Sequence, residues 1–88
     1  MPEISRFYGI IISMNWWEPR HHTAHIHVHY GELQATIAID TGEILGGTLT
    51  SRSLHMVREW VDLHRAELND LWRLAQERKP LYGIDPLA

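Results

Sequence analysis

Cysteine is absent from this 88-residue sequence. Disulfide bonds, thiolate metal ligands and cysteine nucleophiles are therefore excluded by inventory. Long apolar runs are missing as well, since no stretch approaches the roughly 20 apolar residues of a membrane-spanning helix. The N-terminal segment carries the acidic Glu3 where a secretory signal carries basic residues. These absences predict a cytoplasmic protein that does not span a membrane.

Basic charge is also scarce, with 8 Lys and Arg against 11 Asp and Glu and a formal net charge of -3 at pH 7. Proteins that bind nucleic acid usually show a basic patch, so the charge balance does not favour a nucleic-acid partner. The remaining composition, 44% hydrophobic and 22% charged, is typical of a globular protein. The length predicts a single domain over residues 1–88.

The first half of the chain reads as β-structure, with strands expected within residues 4–49. The first strand is predicted over "RFYGIIISM", where apolar residues fall on both alternating positions. Gly9 in its middle indicates a bulge or a close approach of the backbone. Farther along, Gly42 fits the left-handed position of a three-residue hairpin loop, and Gly46-Gly47 indicates a bulge in the next strand.

The segment "HIHVHY" alternates histidine with apolar residues, which is the two-residue period of a strand with one buried face. If Gly31-Glu32 forms a two-residue turn, the register of the hairpin is fixed. On the apolar face it pairs Tyr30 with Leu33, Val28 with Ala35 and Ile26 with Ile37. On the other face it pairs His29 with Gln34, His27 with Thr36 and His25 with Ala38.

Residues 51–78 change to a helical period, with an apolar stripe that runs through His64. Thr50 or Ser51 can cap its N-terminus, and residues 79–88 form a tail. The fold predicted is α+β with two layers, an approximately four-stranded and largely antiparallel sheet with one long C-terminal helix on its apolar face. The face that carries the histidines is expected to have no second layer over it.

Three histidines, His25, His27 and His29, share one strand face and are the candidate metal ligands. Two histidines at i and i+2 can reach one zinc or nickel ion. A catalytic zinc normally takes three protein ligands, so the rest would come from Glu18, His21 or His22, or from a second subunit. The alternatives are a solvated strand face and a surface that contacts a partner. His64 is expected to be a core histidine bonded to a buried carbonyl or carboxylate.

Catalytic templates are missing, because the sequence holds no G-x-S-x-G elbow, phosphate-binding glycine loop, H-E-x-x-H or dinucleotide fingerprint. A binding function is therefore favoured over an enzyme. Trp16 and Trp17 end the predicted first strand, where one of two adjacent rings points away from the core face. Since large aromatics are enriched at binding hot spots, they are candidate partner-binding residues.

Four segments carry a family resemblance: "PEISRFYGIII", "HIHVHYGE", "TGEIL" and "EWVDLHRAELNDLW". Together they resemble a family of small bacterial and archaeal proteins catalogued as a domain of unknown function. Members typically show Pro-Pro-His-Phe-His where this chain has Thr23-Ala24-His25-Ile26-His27, so the histidines match and the prolines do not. His29 stands where relatives often have another polar residue.

The resemblance implies that the protein binds a partner, and it implies no particular enzymatic reaction. Genes of this family often lie beside another small gene, in pairs that look like toxin–antitoxin modules. Arg6, Tyr8, His25 and His27 are the matching polar positions, and Arg6 and Tyr8 are added to the candidate partner-binding residues. The function predicted is an interaction module that binds a second copy of itself or a neighbouring gene's product. The alternative is a metal-dependent, nuclease-like hydrolase that uses His25 and His27 as ligands.

Overall fold

Five strands followed by two helices make up the part of the chain that the computed structural model describes, residues 2–16 and 23–88. The strands form one antiparallel sheet in the order β1-β2-β3-β4-β5. They are β1 (Glu3–Phe7), β2 (Ile10–Ser13), β3 (His25–Tyr30), β4 (Leu33–Ala38) and β5 (Ile44–Gly47). The helices are α1 (Ser51–Leu63) and α2 (Arg65–Gln76). The predicted α+β class is confirmed.

The predicted first strand is in fact two strands joined by a tight turn. Tyr8 and Gly9 both have positive φ, 50° and 80°, as a type I′ hairpin turn requires at its two central residues. Gly9 is therefore a turn residue, and the predicted bulge at this position is wrong. The irregularity in this hairpin lies in β1 instead, where the register shifts between Glu3 and Ser5. The sheet consequently has five strands where about four were predicted.

The hairpin of β3 and β4 has the predicted register at all six pairs, from Tyr30 with Leu33 to His25 with Ala38. Gly31 has a φ of 60°, as expected for glycine at the first central position of a two-residue turn. The next strand, β5, has a bulge at Leu45. Ile37 pairs with Ile44 and Thr36 with Gly46, so Leu45 is an extra residue without a partner position on β4. Both findings confirm what the alternation and the glycines indicated.

The predicted long helix is interrupted at His64. Thr50 caps α1 as expected, with its Oγ1 accepting a hydrogen bond from the Ser53 amide at 3.1 Å. At His64 the backbone leaves helical geometry (φ -118°, ψ 21°), and the His64 amide is shared between the carbonyls of Trp60 and Val61. Sharing of one amide in this way is common where a helix tightens at its end, so one predicted helix becomes α1 and α2.

The core lies between the helices and the Ile26 and Val28 face of the sheet. Its centre is Trp60, which is fully buried and whose ring centroid lies 5.6 Å from that of Phe7 on β1. Other residues with no exposed surface are shared between the two layers: Ile10, Ile12, Met14, Ile26, Val28, Ile37, Ile39, Val57, Val61, Leu68, Leu71 and Ala75. The opposite face of the sheet is left with the histidines.

The C-terminal tail is anchored to the first strand and to the core. The Ile84 amide donates to the Ile4 carbonyl at 2.7 Å, and the Trp60 indole N–H donates to the Asp85 carbonyl at 2.8 Å. The β1 edge of the sheet is thus engaged by the tail. Within the described residues, neither helix combines the length and the hydropathy that crossing a bilayer demands.

Candidate functional site

Two rows of side chains cross the sheet on the face opposite the core, and together we call them the open face. Residues directly opposite each other on paired strands share one face, so the register defines the rows. The first row is Glu3, Ser13, His27, Thr36 and Gly46. The second row is Arg6, Ile11, His29 and Gln34.

A shallow depression of about 280 Å³ lies at the β5 side of the open face, between His27, His29, Gln34, Thr36 and Gly46. Both histidines are half-buried, and Gln34 is exposed. A Cβ added at Gly46 would meet no atom within 4 Å, so the missing side chain leaves this end of the depression open. Imidazole, amide and hydroxyl groups thus line a surface that water and a partner can reach.

His25 does not belong to this accessible surface. It is 1% exposed, and its ring centroid lies 4.9 Å from that of Trp72 on α2. Its Nδ1 lies 2.8 Å from the Thr23 carbonyl, which can only accept, so the Nδ1–H donates. The expectation that nothing covers the histidine face is therefore wrong at this end, because a bulky aromatic residue of α2 packs on the His25 ring.

Of the three predicted metal ligands His25, His27 and His29, the last two are accessible and His25 is buried. His25 and His27 have ring centroids 5.1 Å apart in an edge-on arrangement, and the Asn15 amide nitrogen lies 3.5 Å from His27 Nε2. Over residues 2–16 and 23–88, no group of three or more histidine or acidic residues is placed to hold a metal ion. The additional ligands considered, Glu18, His21 and His22, lie outside those ranges, and the metal site stays a prediction.

The tryptophan pair is only half described, since Trp17 lies outside the described residues. Trp16 is 47% exposed, and its indole N–H donates to the Lys79 carbonyl at 2.8 Å. That hydrogen bond ties the segment after β2 to the segment after α2. Trp16 therefore has a structural role beside the partner-binding role predicted for it.

Arg6 and Tyr8, the other candidate partner residues, are both solvent-exposed on the first hairpin. Arg6 forms an ion pair with Glu3 at 2.7 Å within β1, and the hydrogen bond from Arg6 lowers the pKa of the Glu3 carboxyl. Tyr8 is 62% exposed at the turn. Arg6 belongs to the open face and Tyr8 to the tip beyond it, and their role in binding stays a prediction.

His64 has a carboxylate partner as predicted, but it is half-buried rather than a core histidine, and the carboxylate lies at the surface rather than in the core. Its Nδ1 lies 2.7 Å from a carboxylate oxygen of Glu67, and the ring centroid is 5.4 Å from that of Trp60. A buried or half-buried polar group is normally paired in this way. Since this pairing satisfies one ring nitrogen locally, His64 acts as part of the helix junction.

Sequence reasoning placed Gln34 and Thr36 opposite His29 and His27 but assigned them no role. The structure shows that they complete the depression together with Gly46. The signal was present in the register, because residues opposite a histidine on the same face necessarily share its surroundings. Gly46 could not be placed in this way, since the bulge at Leu45 shifts the register of β5.

Comparison with known proteins gives a family and no described activity. A family model described as a domain of unknown function, DUF4160, matches residues 9–73. This stretch contains the three strand histidines and begins after Arg6 and Tyr8. No curated protein and no solved structure matches the chain.

Proposed function

The chain belongs to the DUF4160 family, a domain of unknown function, and we propose from its geometry that it is a protein-interaction module whose partner docks on the open face. The observation that carries the proposal is that the helices cover one face of the sheet and leave the other face to polar side chains. One side is filled by α1 and α2. The other side presents exposed Glu3 and Arg6 on β1, and exposed Gln34 on β4 with the depression beside it.

The two edges of the sheet support docking on the β5 side. At the other edge, β1 carries the charged Glu3 and Arg6, a bulge and the contact from Ile84, which are features that discourage pairing with another chain. The β5 strand Ile44–Gly47 contains no charged residue and no proline, and Leu45 is 47% exposed. A partner on the open face therefore meets an uncharged edge next to the depression.

The partner is either a second copy of this chain or the product of a neighbouring gene, in which case the protein is one member of a toxin–antitoxin-like pair. Both fit a surface of mixed polar groups, since transient interfaces are about as polar as the rest of a protein surface. A metal-dependent hydrolase would use the same His27 and His29. Among the described residues the open face offers two accessible histidines, His27 and His29, against the three ligands of a catalytic zinc site, which supports binding over hydrolysis.

Placing one positive charge in the depression should weaken docking. Gln34→Arg introduces a guanidinium that docking would desolvate without an acidic neighbour in the depression, so we expect affinity to fall by more than about tenfold. Calorimetric titration of the purified protein with the neighbouring gene's product, or with itself by dilution, measures this change.

Ala66→Arg supplies the matched control, because it adds the same charge at an exposed position of α2. It should leave affinity unchanged. Equal weakening by both substitutions would show that net charge, and not the open face, controls binding. A complex that tolerates Gln34→Arg would place the docking surface elsewhere and overturn the proposal.

A further inference from the structure

The two rows of the open face are complementary to each other. We infer that the open face binds a second copy of this chain around one divalent transition-metal ion, with His27 and His29 of each copy as the four ligands. This inference rests on the proposed function and narrows the partner to the chain itself. It follows from the register of the sheet, the charges on β1 and the number of accessible histidines.

A twofold axis perpendicular to the strands, midway between two facing sheets, exchanges the two rows. In such a pair each first-row residue of β1 to β4 faces the second-row residue of the same strand in the partner. Glu3 then lies opposite the partner's Arg6, Thr36 opposite the partner's Gln34 and His27 opposite the partner's His29. A twofold interface of this kind uses the same patch on both chains.

This arrangement matches charges and hydrogen-bonding groups without changing the fold. Glu3 and Arg6 are exposed and already form an ion pair within β1, so across the axis each gains a second opposite charge from the partner. The Thr36 hydroxyl meets an amide that can donate or accept. A twofold axis parallel to the strands would instead set β1 against β5, placing Glu3 and Arg6 opposite an uncharged strand. Electrostatic complementarity, which selects register at interfaces, therefore favours the perpendicular axis.

The histidines meet at the centre of this arrangement. His27 and His29 are two residues apart on β3 and so about 7 Å apart along the strand. Facing sheets pack about 10 Å apart, a gap into which imidazoles from both sides extend. Each chain contributes His27 and His29 from its open face, and the axis doubles them to four nitrogen ligands, the number that a structural zinc site takes.

Surrounding groups suit a transition metal held by nitrogen. Imidazole binds zinc, copper and nickel well, and the depression is lined by amide and hydroxyl groups rather than by carboxylates. The side-chain-free Gly46 leaves room at its β5 end. His25 stays outside the ligand set, because it is 1% exposed and its ring is packed on Trp72 of α2.

The test is the mass of the untagged protein in solution with zinc and with EDTA, measured by sedimentation, together with its zinc content. We expect a dimer with one zinc ion for every two chains, and a monomer after chelation. His27→Ala and His29→Ala should each abolish the zinc-dependent dimer. His55→Ala, at an exposed position of α1, should behave like the unchanged protein.

A charge exchange tests the orientation of the axis and does not alter the histidines. Arg6→Glu should weaken the dimer, because two acidic side chains then face two others. Adding Glu3→Arg to it should restore the dimer, since the exchange re-creates both pairs. Failure of the double variant to recover would overturn the proposed axis.

Three results would overturn the metal-bridged dimer: a monomer in excess zinc, one zinc bound per chain, or a dimer unaffected by the histidine substitutions. The broader proposal of docking on the open face can survive any of them. If the protein stays monomeric in zinc while Gln34→Arg still prevents binding of the neighbouring gene's product, the open face is a docking surface for another protein. If the protein forms no zinc-dependent dimer and Gln34→Arg does not weaken binding of the neighbouring gene's product, both proposals fail.

Discussion

Gly47→Ala is expected to lower the free energy of unfolding by about 2–4 kcal/mol. Gly47 has a φ of 78°, a conformation that costs energy for any residue with a side chain. A Cβ there would also lie 2.2 Å from the Gln34 carbonyl oxygen and 2.8 Å from the Ala35 Cα. Since these are backbone atoms of β4, the strand itself would have to move. Denaturant unfolding followed by tryptophan fluorescence measures the loss.

Gly46→Ala is the control for this prediction, one residue earlier on the same strand. Its Cβ would meet nothing within 4 Å, and replacing glycine where alanine fits changes stability by less than about 1 kcal/mol. A similar loss in both variants would mean that the stability depends on glycine at both positions, and not on the close approach of Gly47 to β4. An unchanged Gly47→Ala variant would show that β4 and β5 can separate without cost.

Trp60→Ala is expected to cost about 3–5 kcal/mol, the range for removing a large aromatic from a core. Trp60 has no exposed surface, contacts the rings of Phe7 and His64, and donates to the Asp85 carbonyl. Its removal opens a cavity between the sheet and α1 and also releases the tail. Because small domains are stable by only about 5–15 kcal/mol, the variant should melt far earlier, as circular dichroism would show.

Trp16→Ala makes a matched comparison, because Trp16 also donates its indole N–H to a backbone carbonyl at 2.8 Å. Trp16 is 47% exposed, however, so its loss should cost only about 1 kcal/mol, the worth of one hydrogen bond. The difference between the two variants isolates the contribution of burial. Equal costs would indicate that the tail contacts, and not the core, dominate the stability.

The central hairpin was predictable in full because two independent signals agreed. Alternation in β3 and β4 determined which side chains share a face, and Gly31 determined where the chain turns. A shift of one residue would have turned every apolar side chain outward, so the sequence allowed one register. The predicted pairing of His27 with Thr36 and of His29 with Gln34 supplied half of the open face.

The first hairpin and the break between the two helices were not predicted, because no two signals in the sequence agreed there. In the first hairpin, apolar residues on both alternating positions concealed the turn, and Tyr8 is an unexpected residue at positive φ. In the helical segment neither proline nor glycine marks His64, so the interruption left no trace in the composition. Local signals failed in both places because the outcome depends on tertiary packing.

For the candidate site, the alternation correctly placed His25, His27 and His29 on one face but could not indicate what covers each of them. The burial of His25 depends on Trp72, which lies 47 residues later in the chain on α2. No pattern within β3 carries that information. The accessible pair therefore emerged only from the three-dimensional contacts.

The hydrogen bond from the Ile84 amide to the Ile4 carbonyl can form only late in the synthesis of the chain. The two residues are joined across almost the whole chain, and chains emerge from the ribosome at about 5–20 residues per second. The hairpin of β3 and β4 uses local contacts and can close early. The Ile4 carbonyl gains its partner only once Ile84 has been synthesised, so the β1 edge lacks this contact until the tail has emerged.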